Sequence, residues 1–270
     1  DFREKAPLLS SHDMFLDVEG NVINGKSKYS ALASGVPGTV YGLGYVHENY
    51  GSLPWDILLY PAIQLAKYGF ELDYHNVRIL NSERYKALLS HDLESKKIFT
   101  KEGSFKLNEK FIQKDLSETL RRIAKYGYLE FYQGLTADYI IKCMERTGGI
   151  ISYDDLKEYR SVEREPIKFN YRGYRIYSMP LPSSGGVTLA NILNQLEYVD
   201  LQKYHPRSSE YIHILSEIEK RAYADRAEYL GDVDFVNVPI DKMISKEYAD
   251  DRYSTISYRK ATSSEKINHG

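Results

Sequence analysis

The stretch Pro166-Ile167-Lys168-Phe169-Asn170-Tyr171-Arg172-Gly173-Tyr174-Arg175-Ile176-Tyr177 changes the rhythm of this chain. Before it, apolar residues recur every three or four positions. Within it they alternate with polar ones, which places successive side chains on opposite faces of a strand. Arg172-Gly173 lies between two such runs, and a glycine there supplies the positive φ that a tight turn needs. The stretch therefore predicts an antiparallel hairpin. With helical periodicity on both sides, the fold class is α+β, helix-rich with a hairpin.

Downstream, Pro180-Leu181-Pro182 leads through Ser183-Ser184-Gly185-Gly186 into a helix carrying Leu189, Ile192, Leu193 and Leu196. A longer helix is predicted from about Ser209 to Tyr229, stopped at Gly231, and a last one near Ser245 with Glu247 behind it. From Ser254 on, the Ser/Thr/Lys-rich tail reads as loose. Upstream, residues 1–24 read as an extended segment and loop. A helix is expected after Pro37 to about Tyr50, with Gly38 and Gly42 forming a smooth strip for close backbone approach. Further helices are predicted around Ile57–Ala66 closed by Gly69, over Val77–Leu89, and over Gln113–Lys125. Another, capped by Thr136, runs to Gly148-Gly149. Ser95–Leu107 reads as a loop, and Ser152-Tyr153-Asp154-Asp155 as a capping box with Asp in place of Glu.

Composition excludes several classes. A net charge of -2 provides no field for nucleic acid, so no nucleic-acid partner is expected. One cysteine, Cys143, rules out an intramolecular disulfide or a cysteine-built metal cage. No run approaches the roughly eighteen apolar residues of a membrane-spanning helix. The 25 tyrosines against one tryptophan suggest many rings packed with the hydroxyl at the surface. Asp1-Phe2-Arg3-Glu4 is neither a signal peptide nor a start with Met, so the chain is expected to be processed or truncated there.

Four places could carry chemistry. Ser183-Ser184-Gly185-Gly186 combines hydroxyls, glycines and a helix start that could hold an anion. It lacks the Lys of a P-loop and the flanking glycines of a nucleophile elbow, and pattern alone favours a helix cap in a tight strand-to-helix turn. Asp225, Glu228, Asp232 and Asp234 could bind a metal or supply an acid/base pair, but interleaved Arg221 and Arg226 favour a salt-bridged helix end. His205 and His213 stand eight apart and no His-x-x-x-His pair flanks a Glu, so no zinc site is expected. Arg3, on pattern alone, is a solvated arginine near a chain end.

A family resemblance changes the weight of Arg3. Asp1-Phe2-Arg3-Glu4-Lys5-Ala6-Pro7 resembles the D-x-R-E-x-A-P segment of gamma-glutamyltranspeptidases. His12-Asp13-Met14-Phe15-Leu16-Asp17, Ser34-Gly35-Val36-Pro37-Gly38-Thr39-Val40 and Phe131-Tyr132-Gln133-Gly134 follow in that family's order. So do Gly148-Gly149-Ile150-Ile151, Tyr171-Arg172-Gly173-Tyr174 and Met179-Pro180-Leu181-Pro182-Ser183-Ser184-Gly185-Gly186. Tyr223-Ala224-Asp225-Arg226-Ala227-Glu228-Tyr229-Leu230-Gly231-Asp232 completes the series.

The resemblance implies part of an N-terminal-nucleophile hydrolase fold, a four-layer α-β-β-α sandwich. Residues 1–270 would form a single-domain piece, most of a large subunit, without that subunit's N-terminal part and without the small subunit. It implies gamma-glutamyl transfer or hydrolysis by a proenzyme that cleaves itself. The catalytic nucleophile would be the N-terminal Thr of the small subunit, expected after Gly270, so no catalytic residue is assigned within this chain. The implied partners are that small subunit, a gamma-glutamyl donor such as glutathione, and an amino acid, peptide or water acceptor. No cofactor or metal is called for, and a periplasmic or extracellular location is implied by the family alone. Arg3 matches the family arginine that binds the α-carboxylate of the gamma-glutamyl group, a role suited to a planar guanidinium. Related acylases, poly-gamma-glutamate depolymerases and non-catalytic members are the alternatives.

Overall fold

A computed structural model describes all 270 residues, and the chain divides into two compact units, Asp1–Val162 and Glu163–Gly270. It is α+β and helix-rich, with two small two-stranded antiparallel sheets. No helix is long and apolar enough to cross a membrane.

The first unit begins with an extended segment whose Lys5 bridges Val36. After the single turn α1 (Lys26–Tyr29) come α2 (Thr39–Tyr50) and α3 (Trp55–Tyr68). Strand β1 (Phe70–Glu71) pairs with β2 (Lys110–Phe111). Between them lie α4 (Tyr74–Leu80), α5 (Glu83–Leu89) and α6 (Leu93–Phe99), and after them α7 (Lys114–Tyr126), α8 (Glu130–Gln133), α9 (Leu135–Thr147) and α10 (Tyr153–Glu158). Helices α3 and α7 pack together, and the indole N–H of Trp55 donates to the Ile123 carbonyl at 3.0 Å. The core gathers Val36, Tyr132, Ala137, Ile141, Ile151, Leu156 and Tyr159.

Three local expectations differ from the structure in the first unit. The helix predicted over Val77–Leu89 breaks into α4 and α5 at Asn81-Ser82. The Asn81 side chain pairs with both backbone groups of Phe105 (2.8 and 2.9 Å), and Ser82 caps α5 through the Tyr85 N–H. Side chains that hydrogen-bond the backbone compete with the helical ladder, which is why a periodic run stops there. The predicted loop Ser95–Leu107 starts inside α6, which Asp92 caps and whose Phe99 stacks near Phe111. Thr136 sits inside the first turn of α9 rather than capping it. Its hydroxyl donates to the buried Glu130 carboxylate at 2.6 Å.

The second unit opens with the hairpin, β3 (Ile167–Tyr171) and β4 (Tyr174–Ser178), in the register Phe169↔Ile176 and Tyr171↔Tyr174. Arg172 and Gly173 both take positive φ (46° and 84°), the geometry of a tight two-residue connection. Ile167 and Phe169 alternate inward and pack on α11 (Gly185–Leu196) with Leu181, Val187 and Ala190. Helix α12 (Ser209–Tyr229), the single turn α13 (Ile240–Met243) and α14 (Lys246–Ser254) complete the unit. The tail after α14, expected to be loose, instead runs back along α12. The Thr262 N–H donates to Glu217 at 2.9 Å and the Gly270 N–H to Asp225 at 3.0 Å.

Candidate functional site

Arg3 lies on an extended segment fixed from several directions. The Asp1 nitrogen donates to the Val162 carbonyl at 2.7 Å, and the Val162 N–H returns a bond to Asp1 at 2.8 Å. The Asp1 carboxylate accepts the Arg3 N–H at 3.0 Å, and the Tyr159 hydroxyl donates to the Arg3 carbonyl at 2.8 Å. Two residues on, Lys5 and Val36 exchange backbone bonds at 3.3 and 2.8 Å. Further along, the Leu8 N–H donates to Asp155 at 2.6 Å. Asp155 is also the acidic member of the α10 capping box, so one carboxylate secures both the helix start and the incoming segment.

The smooth strip read from Gly38 and Gly42 is what this segment lies on. A Cβ on Gly42 would stand 2.5 Å from the Phe2 Cβ. One on Gly38 would fall well inside 3.0 Å of both the Phe2 carbonyl and the Tyr159 hydroxyl. Under the strip, Tyr132 stacks on Tyr159 with centroids 5.7 Å apart, and its hydroxyl donates to the Pro37 carbonyl at 2.8 Å. Burial pushes the Tyr159 hydroxyl up to about 12, with the neighbouring Tyr132 and Glu4 adding to it, so it stays a proton donor to Arg3 at neutral pH.

The backbone of Arg3 is held while its side chain faces solvent, 54% exposed. Its Nε stands 3.8 Å from the Glu4 carboxylate, itself mostly exposed. A pair of that length and exposure holds weakly, so the guanidinium is left facing solvent. Sequence reading placed Arg3 at a chain end and missed Tyr159 and Val162, which supply its mounting. The only sequence signal for them was the excess of tyrosine.

The other candidates resolve into packing. Ser183 accepts the Gly185 N–H only at 3.4 Å, and Ser184 receives Arg226 Nε at 2.9 Å instead of capping α11. A Cβ on Gly186 would collide with the Met179 carbonyl, so this glycine serves the close strand-to-helix turn. The acidic run does not converge. Asp225 pairs with Arg252 at 3.0 Å, Asp234 with Arg164 at 2.6 Å, and Glu228 lies 3.7 Å from His269. The arginines that pair with the run are thus Arg164 and Arg252, not the interleaved Arg221 and Arg226.

The gamma-glutamyltranspeptidase family model matches residues 1–270. The glutathione hydrolase proenzyme of Escherichia coli is 44% identical over 100% of this chain and 47% of its own length. The crystal structure of Helicobacter pylori gamma-glutamyltranspeptidase superposes with a TM-score of 0.95 at 43% identity, covering 100% of this chain and 77% of that one. The capsule biosynthesis protein CapD proenzyme of Bacillus anthracis is 39% identical over 79% of this chain and 39% of its own length. The chain spans about half the length of the curated relatives it matches most fully. An ordered set of motifs, a matching fold and a family model covering every residue lead to one statement: this chain belongs to the gamma-glutamyltranspeptidase family.

Proposed function

We propose that this chain forms most of the large subunit of a gamma-glutamyl-transferring enzyme, with Arg3 receiving the α-carboxylate of the donor. The observation that carries the reading is a rigidly mounted backbone bearing a solvent-facing guanidinium. Two parallel N–H···O bonds from one fork fix the donor's orientation as well as its position. The nucleophile is the N-terminal Thr of a small subunit generated from the same proenzyme. Its hydroxyl oxygen attacks the γ-carbonyl carbon of glutathione or a similar donor, and its own α-amino group takes the proton. The C–N bond breaks, the amine leaves with that proton, and the resulting ester passes to water, an amino acid or a peptide amine. In this reading the helices and hairpin belong to an α-β-β-α sandwich in the periplasm or outside the cell.

A second reading has the CapD likeness behind it: the same acyl chemistry on a gamma-linked polymer. The two separate on substrate, a gamma-glutamyl anilide against poly-gamma-glutamate.

The test uses the chain together with its small subunit, with the lone chain as the inactive control. Arg3→Lys keeps the charge but loses the two-pronged contact. KM for the donor should rise about 10- to 100-fold, the equivalent of one charge-assisted hydrogen bond, with kcat changing less. An unchanged KM refutes the role of Arg3, and turnover by the lone chain refutes the placement of the nucleophile.

A further inference from the structure

Helix α12 carries charged residues where a core is expected. Glu217, Arg221 and Asp225 follow one another at four-residue spacing, so they stack on one face. Glu217 and Asp225 are 0% exposed and Arg221 is 2% exposed. Burying three charges is costly unless each finds partners. Within the helical core Arg221 meets Glu217 at 2.8 Å, while Arg252 of α14 and Asn191 of α11 serve Asp225 at 3.0 Å each. Lys220 adds a bond to Glu217 from α12 itself, and further partners come from the residues that follow α14. Arg221 donates to the Thr255 hydroxyl at 2.6 Å and to its carbonyl at 2.8 Å. Glu217 accepts the Thr262 N–H at 2.9 Å, and Lys220, itself bonded to Glu217, donates to the Thr262 carbonyl at 2.6 Å. Asp225 accepts the Gly270 N–H at 3.0 Å, and Tyr229 donates to the Gly270 carbonyl. The three buried residues thus take hold of the tail at 255, 262 and 270 in turn.

We infer that Glu217 and Asp225 are positioning residues that clamp the tail and set the point and direction in which the backbone leaves Gly270. The tail from 256 to 270 has only a single short turn of its own, Ser264–Lys266, so local structure cannot fix its path. A buried carboxylate accepting a backbone N–H can, because the carboxylate has no water to fall back on if the bond is lost. The clamp deepens the proposed function and rests on it: residues following Gly270 in the longer polypeptide would bear the nucleophile, and the clamp would deliver them to a fixed place. Glu217 and Asp225 touch neither donor nor nucleophile in this account; they act through the tail.

The first arm of the test removes a tail donor and leaves the buried carboxylates intact. Thr262→Pro deletes the N–H given to Glu217. Ser263→Pro is the control, since Ser263 already has φ -61 and its N–H donates no hydrogen bond. In the 270-residue chain, amide exchange over residues 256–270 should quicken at least about tenfold in Thr262→Pro and stay within about twofold in Ser263→Pro. In the full-length polypeptide, self-cleavage should slow at least about tenfold in Thr262→Pro and little in Ser263→Pro. Unchanged exchange in Thr262→Pro overturns the clamp. Faster exchange with unchanged cleavage overturns its positioning role. If the wild-type full-length polypeptide neither cleaves itself nor acts on a gamma-glutamyl donor, the proposed function falls, while the exchange experiment still decides whether the clamp exists. Asp225→Asn, checked for native helicity, should free residue 270 and leave 262 protected; joint loss of protection at both would mean general loosening and refute separate anchoring.

Discussion

Gly38→Ala places one methyl group beneath the segment that carries Arg3. Gly38 has φ -111, so alanine meets no backbone penalty and the whole effect comes from space. The new Cβ would fall well inside 3.0 Å of the Phe2 carbonyl and the Tyr159 hydroxyl. The segment has to back away by roughly 1 Å, and overpacking of this kind costs about 1–3 kcal/mol. Retreat also stretches the bond from Tyr159 to the Arg3 carbonyl, worth about 1 kcal/mol. The first unit should therefore lose about 2–4 kcal/mol, a fall of about 1–2 M in urea midpoint. The only tryptophan, Trp55, lies in that unit, so its fluorescence reports on this transition. Tyr159→Phe in the same background removes the nearest of the three colliding atoms, leaving the ring Cζ and the Phe2 carbonyl. The double variant should be less destabilised than the sum of the singles, by about 1 kcal/mol. A Gly38→Ala midpoint within about 0.5 kcal/mol of wild type, or strict additivity with Tyr159→Phe, would refute the idea that close approach mounts this segment.

Two further outcomes follow from the second unit. Burial pushes the Glu217 carboxyl up, but bonds from Lys220, the Thr262 backbone and Arg221 outweigh it and hold the group at about 2. A depressed pKa stabilises the fold above the unfolded value of 4.5 and loses that contribution as pH falls toward 2. Denaturant midpoints measured from pH 6 to pH 2.5 should drop across this window, and Glu217→Gln should flatten the drop; a parallel drop in the variant would assign the loss elsewhere. Gly186→Ala drives a methyl into the Met179 carbonyl at the turn into α11. It should destabilise the second unit by about 1–3 kcal/mol in calorimetry, and an unchanged transition would refute the close approach at this turn.

Wherever a feature depends on neighbours in sequence, the residues announced it. The alternation from Ile167 to Tyr177 gave the hairpin and its turn, and Ser152 with Asp155 gave the capping box. Gly69 marked the end of α3, and the motif series carried the family. Local reading failed where a side chain left its own segment for a distant partner. Asn81 breaks a periodic helix because Phe105 offers it two backbone bonds, and no spacing between 77 and 89 signals that.

The same distinction separates what the sequence determined about Arg3 from what the fold decided. Residue identity determined that a planar, permanently charged fork stands third in a family motif. Its mounting comes from Val36, Tyr159 and Val162, which are brought to residues 1–5 only by the packing of the first unit. The tail reads as loose for the same reason: its composition has too little apolar surface to order itself. Its order comes from the carboxylates of Glu217 and Asp225, buried on a helix tens of residues earlier. Periodicity reports a residue's preference for its own element, whereas an N–H bonded to a dry carboxylate across the fold is set by tertiary packing, where unsatisfied partners are costly.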